Sequence, residues 1–139
     1  MKEDYVSYEV AKLLKEKGFD NIELDLWYLQ EQGKECFTMK AIPHYELRYF
    51  ESKGYNYYPC PTQQMAMQWL REVAQIHIIT LPYAPIDRPP YHPGEADIVY
   101  IAQIFRGIIP LDEVGRSIIK LTPEDAYEEA IKYCLENLI

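Results

Sequence analysis

The chain has 139 residues, 22 acidic against 14 basic, a formal net charge of -8, and 48% hydrophobic residues. A chain of this size can bury roughly two-thirds of its unfolded surface, so a single domain over 1–139 is expected. Its summed negative field repels phosphate backbones and anionic lipid, which removes nucleic acid and membrane from the expected partners.

No stretch approaches the ~20 apolar residues of a membrane span. Met1-Lys2-Glu3-Asp4 is followed by no apolar run, so no signal peptide is expected. Cys36, Cys60 and Cys134 are odd in number and stand in no metal or redox spacing, so a reducing cytoplasm is the expected setting.

In chain order, Ser7 reads as the N-cap of a first helix with an apolar stripe of Val10, Leu13 and Leu14. Gly18-Phe19 reads as its C-terminal cap, with Gly18 left-handed and Phe19 folded back onto Leu14. Ile22, Leu24, Leu26 and Tyr28 then alternate with Glu23, Asp25, Trp27 and Leu29, a period of two that predicts a strand with one buried face. A turn at Gln32-Gly33-Lys34 returns the chain through 35–39 as a hairpin.

Over 42–61 the period is lost, and the stretch reads as a loop with one short extended piece at 46–50. Thr62 caps a second helix, with Pro61 just outside it and Ala66, Trp69, Leu70 and Val73 on its apolar face. The helix runs at once into a strand over 76–83, in which His77, Ile79, Leu81 and Tyr83 oppose Ile76, Ile78 and Thr80. Apolar residues on both faces predict a central strand ending at Pro82.

Pro85, Pro89, Pro90, Pro93 and Gly94 predict a stiff surface loop, after which 98–105 pairs back antiparallel onto 76–81. A short strand is expected at 117–121. Thr122, Pro123 and Asp125 then open a last helix with a stripe of Tyr127, Ala130, Ile131, Cys134 and Leu138, and with Glu128 facing water. The order helix-hairpin-helix-strand-strand-helix predicts an α+β fold, an antiparallel sheet with helices packed on one face.

The segment 61–73 with Ile76-His77-Ile78, the opening 5–19 and the ending 127–139 resemble small uncharacterised proteins carried by phages and prophages of gut anaerobes. The resemblance covers about a third of the chain. It implies a mobile-element origin and a bacterial cytoplasm, and it brings no activity, cofactor or catalytic residue.

Among chemical candidates, Cys60 sits between two prolines ahead of a helix whose dipole favours a thiolate, but two residues before the cap and with no His or Asp at a telling spacing. Against that stands a small buried residue, the reading also given to Cys36 and Cys134. His44, His77 and His92 show no paired metal ligands, His92 with Glu95 and Asp97 excepted, so no metal or cofactor is expected. His77 reads as a structural residue of the sheet. Glu124, Asp125, Glu128 and Glu129 read as solvated acids favoured by the helix dipole.

The 13 tyrosines are the remaining signal. Tyr45, Tyr49, Tyr55, Tyr57 and Tyr58 in one loop, with Tyr83 and Tyr91 near the other, either form a contact surface or seal their own loops. The functional expectation is a small interaction module that binds another protein or a second copy of itself. The alternative is an enzyme or small-molecule binder with a pocket near Cys60 and His92, and an acidic nucleic-acid mimic is a third reading that fits the charge sign.

Overall fold

A computed structural model describes residues 4–21, 24–83, 99–111 and 118–139. Helix α1 (Tyr8–Glu16) begins where expected, with the Ser7 hydroxyl accepting from the Val10 N–H at 3.2 Å. It ends in the two crossed bonds of a Schellman motif: Phe19 N–H to Leu14 C=O and Gly18 N–H to Lys15 C=O, with Gly18 at φ +91°. Val10, Ala11 and Leu14 are buried.

The hairpin is present as β1 (Leu26–Glu31) and β2 (Phe37–Ala41), paired antiparallel. The expectation of one buried face is corrected, because Trp27, Tyr28 and Leu29 are buried in succession. Tyr28 enters a main core with Val10, Leu70, Ile76 and Ala130, whereas Trp27 and Leu29 enter a second core with Leu24, Ile42 and Leu47. A strand can bury successive residues only when both its faces are covered.

Residues 42–61 supply the cover, and here too the expectation is corrected. A 3-10 turn (His44–Glu46) leads into helix α2 (Leu47–Ser52), where an extended piece was expected. Its buried side is little more than Leu47 and half-buried Phe50, one turn apart, too short a stripe for periodicity to register. Gly54, at φ +87°, then turns the chain into β3 (Tyr55–Pro59), which pairs antiparallel with β1 on the side opposite β2. Tyr55 and Tyr57 pack on the second core and Tyr58 on the main one, so the tyrosine run has the period-two alternation of a strand. This first sheet, β2-β1-β3, has α1 on one face and α2 on the other, not helices on one face only.

Helix α3 (Gln63–Ala74) starts at Thr62, whose hydroxyl accepts from the Met65 N–H at 3.2 Å. Ala66, Met67 and Leu70 are buried and Trp69 half-buried, but Val73, expected on the stripe, is exposed. Gln75 takes the left-handed conformation at φ 56°, which ends the helix and lets β4 (Ile76–Tyr83) begin at the next residue.

Strand β4 pairs antiparallel with β5 (Val99–Arg106) from Ile76↔Arg106 to Tyr83↔Val99. Short strands β6 (Ile109–Pro110) and β7 (Ile119–Lys120) both add to the far edge of β5. Among the described strands the centre of this second sheet is therefore β5, and β4, expected to be central, lies at an edge. Nor does Pro82 end the strand. The Gly107 N–H bonds the Gln75 C=O at 2.8 Å, and the Ala102 N–H, opposite Thr80, points away to Ile118. Counting in twos from these bonds, residues 76, 78, 80 and 82 direct their backbone polar groups out of the free edge, where proline forfeits no ladder bond.

The last helix, α4 (Pro123–Asn137), is capped by the Thr122 hydroxyl, which accepts from the Asp125 N–H at 3.1 Å. With α3 it covers the inner face of the second sheet, burying Ala126, Ala130, Ile131, Cys134 and Leu135 against Ile76, Ile78, Ala102, Ile104 and Ile118. Glu128 does not simply face water, because its carboxylate accepts from the Ser7 N–H at 2.9 Å and ties α4 to the start of α1. The protein is α+β with antiparallel sheets, and its described elements follow in the order α1–β1–β2–α2–β3–α3–β4–β5–β6–β7–α4. Among the described residues, no helix is long and apolar enough to cross a membrane.

Candidate functional site

The turn into α2 stands off the first sheet and leaves a cleft of about 630 Å³ between itself, the end of α1 and the β1–β3 pair. Its floor is aromatic. Trp27 is held by a bond from its Nε1 to the Leu24 carbonyl at 3.1 Å, and the Tyr57 ring meets it edge-on with centroids 5.7 Å apart. His44 and Tyr45 come from the 3-10 turn, Arg48 from α2, and Phe19 and Asp20 from the chain leaving α1. Because β1 buries both faces, Trp27 points away from the main core into this second layer.

The cleft carries more cation than the protein at large. The Lys15 Nζ donates to the Tyr57 carbonyl at 2.7 Å and lies 4.1 Å from the Tyr57 ring centroid and 5.1 Å from that of Tyr58. Loss of water around this ammonium lowers its pKa below that of an ordinary lysine, and the charge of Glu51 partly opposes the shift. Among the described residues, Arg48 enters no ion pair, Asp20 is the one acid on the wall, and the lining contains no Ser, Thr or Cys. What it offers is a flat apolar floor with two cations beside it, an arrangement suited to a planar or apolar group next to an anionic one.

The tyrosines expected to act together divide. Tyr45 and Tyr49 are the exposed pair, at 80% and 59% accessibility, and with Glu46 and Phe50 they border a second, shallower hollow of about 410 Å³. Tyr55, Tyr57 and Tyr58 are half-buried in β3, packed against the cores they help to close. Tyr83 ends β4, paired with Val99, far along the chain from the cleft. Tyr91 and His92 lie outside the described residues, as do the partners expected for His92, Glu95 and Asp97.

Cys60 is in the main core. Burial pushes its thiol up to about 11, and the neighbouring Tyr28 hydroxyl only partly offsets this, an environment that opposes a thiolate. Cys134 is buried as expected, but Cys36, expected in the core, is exposed just before β2. Among the described residues, no group of three or more His, Cys, Asp or Glu side chains is placed to hold a metal ion. His77 is exposed on the outer face of the second sheet.

Sequence reasoning pointed to the rim of the cleft through its tyrosines but missed Lys15, Phe19, Trp27 and Arg48. These come from elements that meet only through the β1–β3 pairing, and no spacing in the chain links them. In comparisons with protein-family models, curated proteins and solved structures, the chain shows no significant match.

Proposed function

We propose that the protein is a small interaction module, of the phage or prophage type that its ends and third helix resemble. It takes a segment of a partner protein into the cleft over Trp27. The observation that carries this reading is the placement of the exposed Tyr45 beside a concave, aromatic-floored site bordered by Lys15 and Arg48. Tyrosine loses little entropy for the contact it makes, and tyrosine and arginine both concentrate binding energy at interfaces. The partner segment carries an aromatic or apolar anchor with a carboxylate next to it, matched to the floor and to the two cations.

The experiment is to express the tagged chain at low level in a bacterial host, isolate it gently and identify what co-purifies, for the natural sequence and for Tyr45→Ala combined with Arg48→Ala. A stoichiometric protein held by the first and bound at least ~30-fold more weakly by the second, with unchanged circular dichroism, is expected. A partner held equally by both would place the contact elsewhere and overturn the reading.

A further inference from the structure

The second sheet is covered by α3 and α4 on its inner face, and among the described residues nothing packs on its outer face. In an antiparallel sheet with one covered face, the other is ordinarily polar. Here Ile79 and Leu81 of β4, Ile101 and Phe105 of β5 and Ile119 of β7 alternate outward, and no outward position in the four strands is Asp, Glu, Lys or Arg. Ile79, Leu81 and Ile119 remain 41%, 44% and 50% exposed, and Leu121 just beyond β7 is 78% exposed.

We propose that this face is a self-association surface, on which two copies of the chain pack outer sheet to outer sheet about a two-fold axis passing near Gln103. Charge permits a second copy. Each molecule carries a net charge of -8, so two copies repel over most approaches, whereas the described outward positions of these strands bring no like charges together. Area agrees. The apolar surface left bare amounts to roughly 500 Å², near the upper end of what a monomer exposes, and with its polar rim it approaches the ~800 Å² per partner of a standard interface.

The free edge of β4 is the poorer route. Pro82 removes one of its outward donors, a usual guard against edge pairing, whereas face-to-face packing leaves that edge untouched. This surface is separate from the cleft over Trp27, so the dimer presents two clefts.

The test is the mass of the full chain by sedimentation equilibrium across protein concentration, with Ile79→Glu as the variant. The expected result is a dimer of 16.4 kDa chains for the natural sequence and at least a hundredfold weaker association for Ile79→Glu, with unchanged circular dichroism. A second measurement keeps the proposal falsifiable should that variant fold poorly. Gln103→Cys, placed in a Cys36→Ser background that leaves only the buried Cys60 and Cys134, should form a cross-copy disulfide when concentrated and none when dilute. A natural chain that stays monomeric at every concentration would mean that the face is covered within the chain or by another protein. That outcome, or a dimer indifferent to Ile79→Glu and unlinked through residue 103, overturns the proposal.

Discussion

Replacing Tyr28 by Phe removes one buried hydroxyl, which bonds a main-chain carbonyl and lies beside the Cys60 thiol. The Tyr28 hydroxyl donates to the Val6 carbonyl at 2.6 Å, and both residues are buried, Val6 completely. The ring meets Tyr8 and Phe37 edge-on at 5.7 and 5.5 Å and keeps those contacts in the variant, so no cavity opens. What is lost is the partner of a carbonyl that water cannot reach, a cost of roughly 1–3 kcal/mol. With an unfolding entropy of about 2.1 cal/mol/K per residue, 2 kcal/mol lowers the Tm of a chain this long by about 7 °C.

The Val6 segment is also held by backbone bonds, among them Val6 N–H to Pro61 C=O at 3.0 Å and Gln63 N–H to Asp4 C=O at 2.8 Å. Amides 4–6 should therefore also exchange faster in the variant. Tyr8→Phe is the control. Its hydroxyl donates to Gln30 Oε1 at 2.9 Å in a half-exposed position where water can replace the partner, so the cost should stay below ~1 kcal/mol. Equal losses for the two variants in thermal and urea unfolding would refute the claim that burial, not the bond itself, sets the magnitude.

Thiol labelling of the folded chain should modify Cys36 at least ~100-fold faster than Cys60 or Cys134, which react only through unfolding; rapid labelling at Cys60 would contradict its buried placement. Alkaline stability follows from the same thiols. Burial raises Cys60 from an ordinary 9.0 to about 11 and Cys134 to about 12, so the unfolded chain deprotonates first. Stability should be full below about pH 9 and fall as pH rises through the folded values, by about 1.4 kcal/mol per pH unit for each thiol, and Cys60→Ala should remove one proton's share of that slope in urea titrations. Gly18→Ala should cost about 1–2 kcal/mol by chemical denaturation, because a Cβ there meets no atom within 4 Å and the whole penalty is the left-handed backbone.

Local chemistry in the chain determined the helix ends. Ser7, Thr62 and Thr122 cap α1, α3 and α4 because each hydroxyl reaches an N–H three residues away, and Gly18 closes α1 by the same short-range geometry. The hairpin of β1 and β2 and the antiparallel pairing of β4 with β5 were legible for a similar reason, since each joins segments consecutive in sequence.

Tertiary structure alone decided that β3 pairs with β1, that α2 covers the reverse of the first sheet, and that among the described residues β4 lies at an edge with nothing packed on its outer face. Two buried faces and an uncovered apolar face leave the same apolar residues in the sequence, and the difference lies in what comes to cover them. The cleft depends on these long-range decisions. Trp27 faces it only because β1 is covered on both sides, and Lys15 reaches Tyr57 only because β3 passes beneath the end of α1. Capping and turn formation draw on neighbours a few residues apart, whereas sheet membership and burial draw on partners anywhere in the chain, a choice that periodicity does not encode.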